Sequence, residues 1–441
     1  VSPDGLSPDE LRDPVIPVPG EVRPAPVPSG EPPTPAPPLA GRRPFAAFSH
    51  PSFRRVWSGS FVSNIGGWMQ TVAQGWLVLE LTDSAFMLGV VGFAGTIPFL
   101  VLLLLGGVFA DRVDRRRLLM GALSAMAFFA AVLATLTWLD VVRVWHIAGL
   151  ALLSGSALAL SAPAYQAFIH DLVGREDLQS AIALNSAQFN LSRILGPSLA
   201  GLVLGAIGLA ACFALNAVSF LASIGALLSV RVAPRPAPKP VPVWQSLLEG
   251  FAYVRQRPRV QALLTITALV SILSMPYATL LPIVARDSLG LDAAGLGYLF
   301  AIGGTGAVAG ALSLAIRGRF ARRGLYLLGC AGGAGLATMV LGLARDPVVA
   351  GAALAGIGFS ATSAVALTNS LLQELVHDAM RGRILSMFGL AFMGTFPIGN
   401  LLAGTVAGAF SASFTLAISG GALVVAIASI AALTPRLRAL E

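Results

Sequence analysis

Long apolar segments recur along this chain with only short connections between them, and that pattern restricts its fold more than any other feature. A run of about 20 apolar residues spans a roughly 30 Å hydrocarbon layer as a helix. In lipid the backbone must satisfy its own hydrogen bonds, which a helix does within one segment. About twelve such runs can be drawn, at 56–80, 85–110, 117–138, 145–168, 180–206, 209–230, 260–285, 293–316, 324–344, 348–371, 384–409 and 412–433. Of the 441 residues, 56% are hydrophobic and 11% charged, and mean hydropathy is +0.79. A water-soluble domain could not cover that much apolar surface. The fold class expected is an all-α polytopic membrane protein.

The net charge of +8 is a topology signal and does not point to a nucleic-acid partner. Arg42, Arg43, Arg54, Arg55, Arg112, Arg115, Arg116, Arg117, Arg175, Arg317, Arg319, Arg322, Arg323, Arg381 and Arg383 fall on one side of the spans; Arg143, Arg286 and Arg345 fall on the other. By the positive-inside rule both termini are cytoplasmic, which requires an even number of spans. Residues 1–44 are proline-rich and too poor in apolar side chains to bury a core, so they read as a disordered tail. The organisation expected is a first six-helix half at 45–230, a linker at 231–259, a second half at 260–434 and a cytoplasmic tail at 435–441. Within the linker, Trp244, Leu247, Leu248, Phe251 and Val254 recur at helical spacing. That amphipathic helix either lies on the inner membrane surface or packs on the bundle. Cys212 and Cys330 both sit in apolar runs and read as packing residues.

An apolar run ends abruptly in Gly107-Val-Phe-Ala-Asp111-Arg112-Val-Asp114-Arg115-Arg116. This spacing resembles the loop between the second and third helices of major facilitator superfamily transporters. The resemblance implies two pseudo-symmetric six-helix halves working by alternating access. It also implies a cytoplasmic latch made by Gly107, Asp111, Arg112, Arg115 and Arg116, in which Asp111 meets the eleventh span near Ile384 and Arg115 meets Asp171. The superfamily has glycine where Asp114 stands, so a changed turn and an acid competing for the arginines are expected there. A shift of about 203 residues superposes the halves: Gly107 falls on Gly310, Asp171-Leu172-Val173 on Glu374-Leu375-Val376, and Gly196 on Gly399. Leu314 then stands where Asp111 does, while Arg319 keeps a positive charge in the frame.

The fifth span carries Ser192-x-x-x-Gly196-Pro197-x-x-Ala200-Gly201, small residues that let helices approach closely around a proline bend. The run resembles the fifth-helix motif of superfamily antiporters, which implies export. With Ala183-Leu184-Asn185 and Asn190-x-x-Arg193 before it, the segment resembles the bacterial subfamily that includes the enterobactin exporter and macrolide efflux proteins. A mid-bilayer arginine costs about 2.5–3.5 kcal/mol on insertion scales and needs a partner or a wet cavity. Arg193 is therefore either a contact for a substrate anion or carbonyl, or a structural arginine bonded to carbonyls near Pro197.

Ser60, Asn64, Gly67, Thr71 and Gln74 form one polar stripe on the first span, facing the central cavity or another helix. Substrate-side candidates are Asn64, Thr71, Gln74, Asn190, Arg193, Tyr277 and Asn369, with Ser271, Ser274, Gln373, Trp68 and Trp76 weaker. No acid lies midway along a span, which leaves Glu80 and Asp83 as proton-carrier candidates. No cofactor, metal or catalytic residue is implied. The reading is a monomeric secondary transporter of a bacterial inner membrane, surrounded by lipids, exporting a small partly apolar siderophore or antibiotic and coupled to H+. The rivals are a lipid translocator on the same fold and, last, a membrane enzyme acting on lipid-linked substrates at Asp111, Asp114, His170 and Asp171.

Overall fold

The computed structural model describes residues 45–112, 114–174, 176–230, 243–318 and 320–438, and within them the side chains of 103–112, 243–247, 378–379 and 436 are left aside. No strand occurs among the described residues. Six helices make the first half: α1 (Pro51–Thr82), α2 (Ala85–Arg112), α3 (Arg115–Trp138), α4 (Val144–Val173), α5 (Leu178–Ala206) and α6 (Leu209–Leu228). A short helix α7 (Val243–Arg255) follows. The second half comprises α8 (Pro258–Ser288), α9 (Ala293–Arg317), α10 (Arg323–Leu343), α11 (Pro347–Leu375), α12 (Met380–Ala409) and α13 (Ala412–Leu433). Eleven of these meet the length and apolarity needed to cross a membrane. The long α1, 32 residues, falls short in apolarity because Ser60, Ser63, Asn64, Gln70, Thr71 and Gln74 lie along it.

Local chemistry places the helix ends. Asp114 caps α3 by accepting from Arg117 N at 2.8 Å, Asp346 caps α11 by accepting from Val348 N and Val349 N, and Ser411 caps α13 by accepting from Phe414 N. Each satisfies an orphan donor of a first turn. Asp114 is thus engaged with the backbone, whereas the sequence leads one to expect an acid competing for the loop arginines. The helix α1 starts at Pro51, ahead of the apolar segment, because proline at a first helical turn has no N–H to satisfy. Two spans carry π-helical turns: Val270–Ser274 and Val284–Ser288 in α8, and Leu390–Gly394 in α12. Two of these turns are joined, since Ser271 Oγ donates to Phe392 O at 2.6 Å.

The buried core divides unevenly along the bundle axis. At the end remote from the arginine-rich loops it is one body shared by both halves, with Leu77, Leu79 and Phe213 packed in the same cluster as Leu280, Leu296 and Leu354. Toward the arginine-rich end it splits among the described residues. Phe53, Leu119, Phe168 and Leu172 belong to a cluster of the first half alone, and Leu263, Leu327, Leu371 and Ile384 to one of the second.

Candidate transport cavity

The seal between the halves is built on glycine, because backbones must touch for the two bundles to meet. A Cβ on Gly297 of α9 would lie 2.5 Å from Pro197 O and 3.0 Å from Gly201 Cα of α5. On the other flank, one on Gly89 of α2 would lie 2.6 Å from Gly404 Cα of α12. Both distances are shorter than side-chain carbons tolerate, so these contacts exist only with glycine. The motif from Ser192 to Gly201 therefore serves two neighbours. Gly196 packs on α1, where a Cβ would meet Trp68 Cβ at 2.5 Å, while Pro197 and Gly201 face α9. Ala200 and Ser192 are fully buried, and Ser192 Oγ has no hydrogen-bond partner.

Polar bonds reinforce the same region. Arg193 donates to Tyr277 Oη at 3.1 Å and stands 5.7 Å from the Trp68 ring centroid. Asn400 of α12 accepts from Thr279 Oγ1 at 2.8 Å and donates to Thr96 Oγ1 of α2 at 3.4 Å. At the end remote from the arginines, Arg286 joins Asp83 of the first half to Asp287 of the second. Glu80, the other proton-carrier candidate, accepts from Trp76 Nε1 at 2.6 Å.

Where the core splits, a cavity of about 730 Å³ opens. It runs along α1 from Val56 to Gln74 and is walled by Leu119 to Met126 of α3, Ala151 to Gln166 of α4, Ile182 to Asn190 of α5 and Asn216 to Leu227 of α6. Asn64, Thr71, Gln74 and Asn190 all line it. Tyr277 and Asn369 do not: Tyr277 is buried against Arg193, and Asn369 accepts from Gln373 at 2.7 Å along its own helix. Arg193 stands one turn beyond Asn190, outside the lining. Its partner is a side-chain hydroxyl and a ring, where carbonyls near Pro197 had been the structural expectation. Ser271 and Ser274 are buried, bonded to Phe392 O and Thr338 Oγ1.

Near the arginine-rich end, Arg115 pairs with Asp171 at 2.7 Å, and Arg116 donates to Leu227 O and Leu228 O at 2.9 and 3.0 Å. All three bonds stay within the first half; Arg116 ties α3 to the carbonyl end of α6. The side chains of Gly107, Asp111 and Arg112 lie outside the described residues, and so does Arg319. The second half repeats the pair: Arg323, at the start of α10, meets Glu374 with two bonds of 2.9 and 2.5 Å. Sequence reasoning found Glu374 as the counterpart of Asp171 and missed Arg323. The 203-residue shift puts Gly318 opposite Arg115, and a five-residue difference in the loop hides the match. The helix α7 packs on α12, with Glu249 paired to Arg383 at 2.7 Å and Gly250 against Met387, while Leu248 and Phe251 stay exposed.

Residues 42–441 match the family model described as transmembrane secretion effector. The multidrug efflux pump Tap of Mycolicibacterium fortuitum is 28% identical over 393 residues, covering 87% of this chain and 95% of its own. The enterobactin exporter EntS of Shigella boydii serotype 18 is 30% identical over 388 residues, covering 86% and 92%. Among solved structures, a bacterial homologue of the human lysosomal transporter Spinster, inward-facing and unoccupied, aligns with TM-score 0.71 at 14% identity over 90% of this chain and 98% of that one. A peptide transporter of the POT type in complex with sulfate gives TM-score 0.71 at 14% identity over 88% and 94%. At these identities the structures report the fold alone. A multi-pass helical bundle of two six-helix halves with this sequence kinship belongs to the transmembrane secretion effector family of major facilitator transporters.

Proposed function

We propose that the chain is an efflux transporter that moves a small, partly apolar compound out of a bacterial cytoplasm by alternating access, driven by the proton gradient. One observation carries this reading: among the described residues the core is continuous across both halves at one end and divided at the other, with the polar cavity in the divided part. A transporter waiting for cytoplasmic cargo has this shape, provided the arginine-rich end faces the cytoplasm as the positive-inside rule requires. Rocking of one half against the other would then part the glycine-lined seal and close the cytoplasmic side. Asn64, Thr71, Gln74 and Asn190 hold the cargo. Gly107, Asp111, Arg112, Arg115, Arg116 and Asp171 form the latch of the outward state. Arg193 and Tyr277 act at the head of the cavity as a bond that joins the halves, close enough to answer cargo at Asn190.

Siderophores and antibiotics are the cargo classes that the relatives' names suggest. Uptake of enterobactin and of an antibiotic panel into everted membrane vesicles tests the reading. Accumulation should require an inside-acid pH gradient and should be lost in Asp111→Asn at unchanged membrane level. Accumulation indifferent to the gradient would remove proton coupling, and full activity of Asp111→Asn would remove the latch.

A further inference from the structure

We infer that the cavity selects cargo that is uncharged and rich in hydrogen-bond donors and acceptors, and that it excludes permanent cations. This deepens the efflux reading and rests on the cavity being the cargo site. Among the described residues, sixteen of the thirty that line it are polar, eight of those are asparagine or glutamine, and none is charged. The carboxamides divide into two groups. Some serve the bundle: Gln188 donates to Trp57 O at 2.7 Å, and Asn216 donates to Gln70 Oε1 at 2.6 Å. Asn64, Gln74 and Gln166 make no side-chain hydrogen bond among the described residues, and Asn185 Oδ1 is enclosed without a partner.

A carboxamide offers two donors and an acceptor together, so a wall of them matches amide, ester and hydroxyl groups. An enclosed acceptor such as Asn185 Oδ1 is costly while unmet, and a donor on the cargo removes that cost. An ion gains little in return. Entering the cavity strips part of its hydration, a penalty that only an opposite charge repays, and no carboxylate lines the cavity among the described residues. The fixed charge beside the head of the cavity is positive: Arg193, one helical turn beyond Asn190, held by Tyr277 and Trp68. It raises the cost for a cation further. Tyr165, Phe189 and Phe220 supply ring surface for the apolar part of a neutral cargo.

The test is equilibrium binding of radiolabelled tetraphenylphosphonium to the purified full chain in detergent at pH 8, with monodispersity checked by gel filtration. Wild type should show no saturable binding. Asn64→Asp and Gln166→Glu each place a carboxylate on the wall at nearly unchanged volume, and each should acquire saturable binding, with a signal roughly tenfold or more above the wild-type background. Saturable binding by wild type would overturn the exclusion of cations and leave the efflux reading standing, since a cation would then simply be cargo. Failure of both monodisperse variants to gain the cation would overturn the cavity as the place where charge is read. The vesicle experiment scores transport independently of either result.

Discussion

Arg115 and Arg323 pose at single-residue scale the question of what a repeated ion pair contributes. Both join the start of the third helix of a half to the end of the fourth, yet they leave different remnants when cut. Removing Arg115 takes the 2.7 Å partner from Asp171, whose side chain is 7% exposed; removing Arg323 takes the two-bond partner from Glu374, which is 33% exposed. Losing its closest cation costs a buried carboxylate more than one near water, which rehydrates. We expect Arg115→Ala to destabilise the detergent-purified protein by about 3 kcal/mol and Arg323→Ala by about 1 kcal/mol, read as loss of unfolding free energy in denaturant. Equal losses would mean that the wider environment, and not the exposure of the acid, sets the cost. The acids of both pairs were legible as a repeat in the sequence. The arginine of the second was not, because loop length is free to drift where no bilayer constrains it.

Among elements, α5 carries the most. One face of it lines the cavity with Asn185, Ser186 and Asn190, and further along the same helix packs Gly196 on α1 and Gly201 on α9. The small residues were readable as a close-packing motif, but their two targets were not, since spacing along a helix says nothing about which neighbour lies on each side. The same limit applies to the polar stripe of α1. Its face was legible from the steps of three and four, while its choice between cavity and helix depended on how the neighbouring helices are rotated. A Cβ at Gly297 would meet the α5 backbone at Pro197 O and Gly201 Cα, so Gly297→Val should prevent the seal from closing. The variant should insert normally, lose uptake in everted vesicles, and expose a cysteine placed at Ala294 to an impermeant thiol reagent from the periplasmic side. A variant with wild-type uptake would show that the α5–α9 contact is not needed for the cycle.

At the scale of the whole molecule, the span pattern was readable because lipid leaves the backbone so few options, and the two halves followed from the repeat. The uneven division of the core was not readable, since the same apolar residues would serve an inward-open or an outward-open bundle. The placement of the main cavity within one half was hidden for a related reason: the superfamily resemblance distributes candidates over both halves, and Tyr277 and Asn369 proved to be engaged elsewhere. The central claim is that the resting chain opens toward the arginine-rich end, and that this end is cytoplasmic. Gly67 allows a direct test, because it lines the cavity and a Cβ added there meets nothing within 4 Å. With Cys212 and Cys330 replaced by alanine, Gly67→Cys should react with a membrane-impermeant maleimide in everted vesicles roughly tenfold or more faster than in intact cells, the ratio expected of a resting population biased by about 1.4 kcal/mol. Equal rates from both sides, or faster reaction in intact cells, would contradict the account.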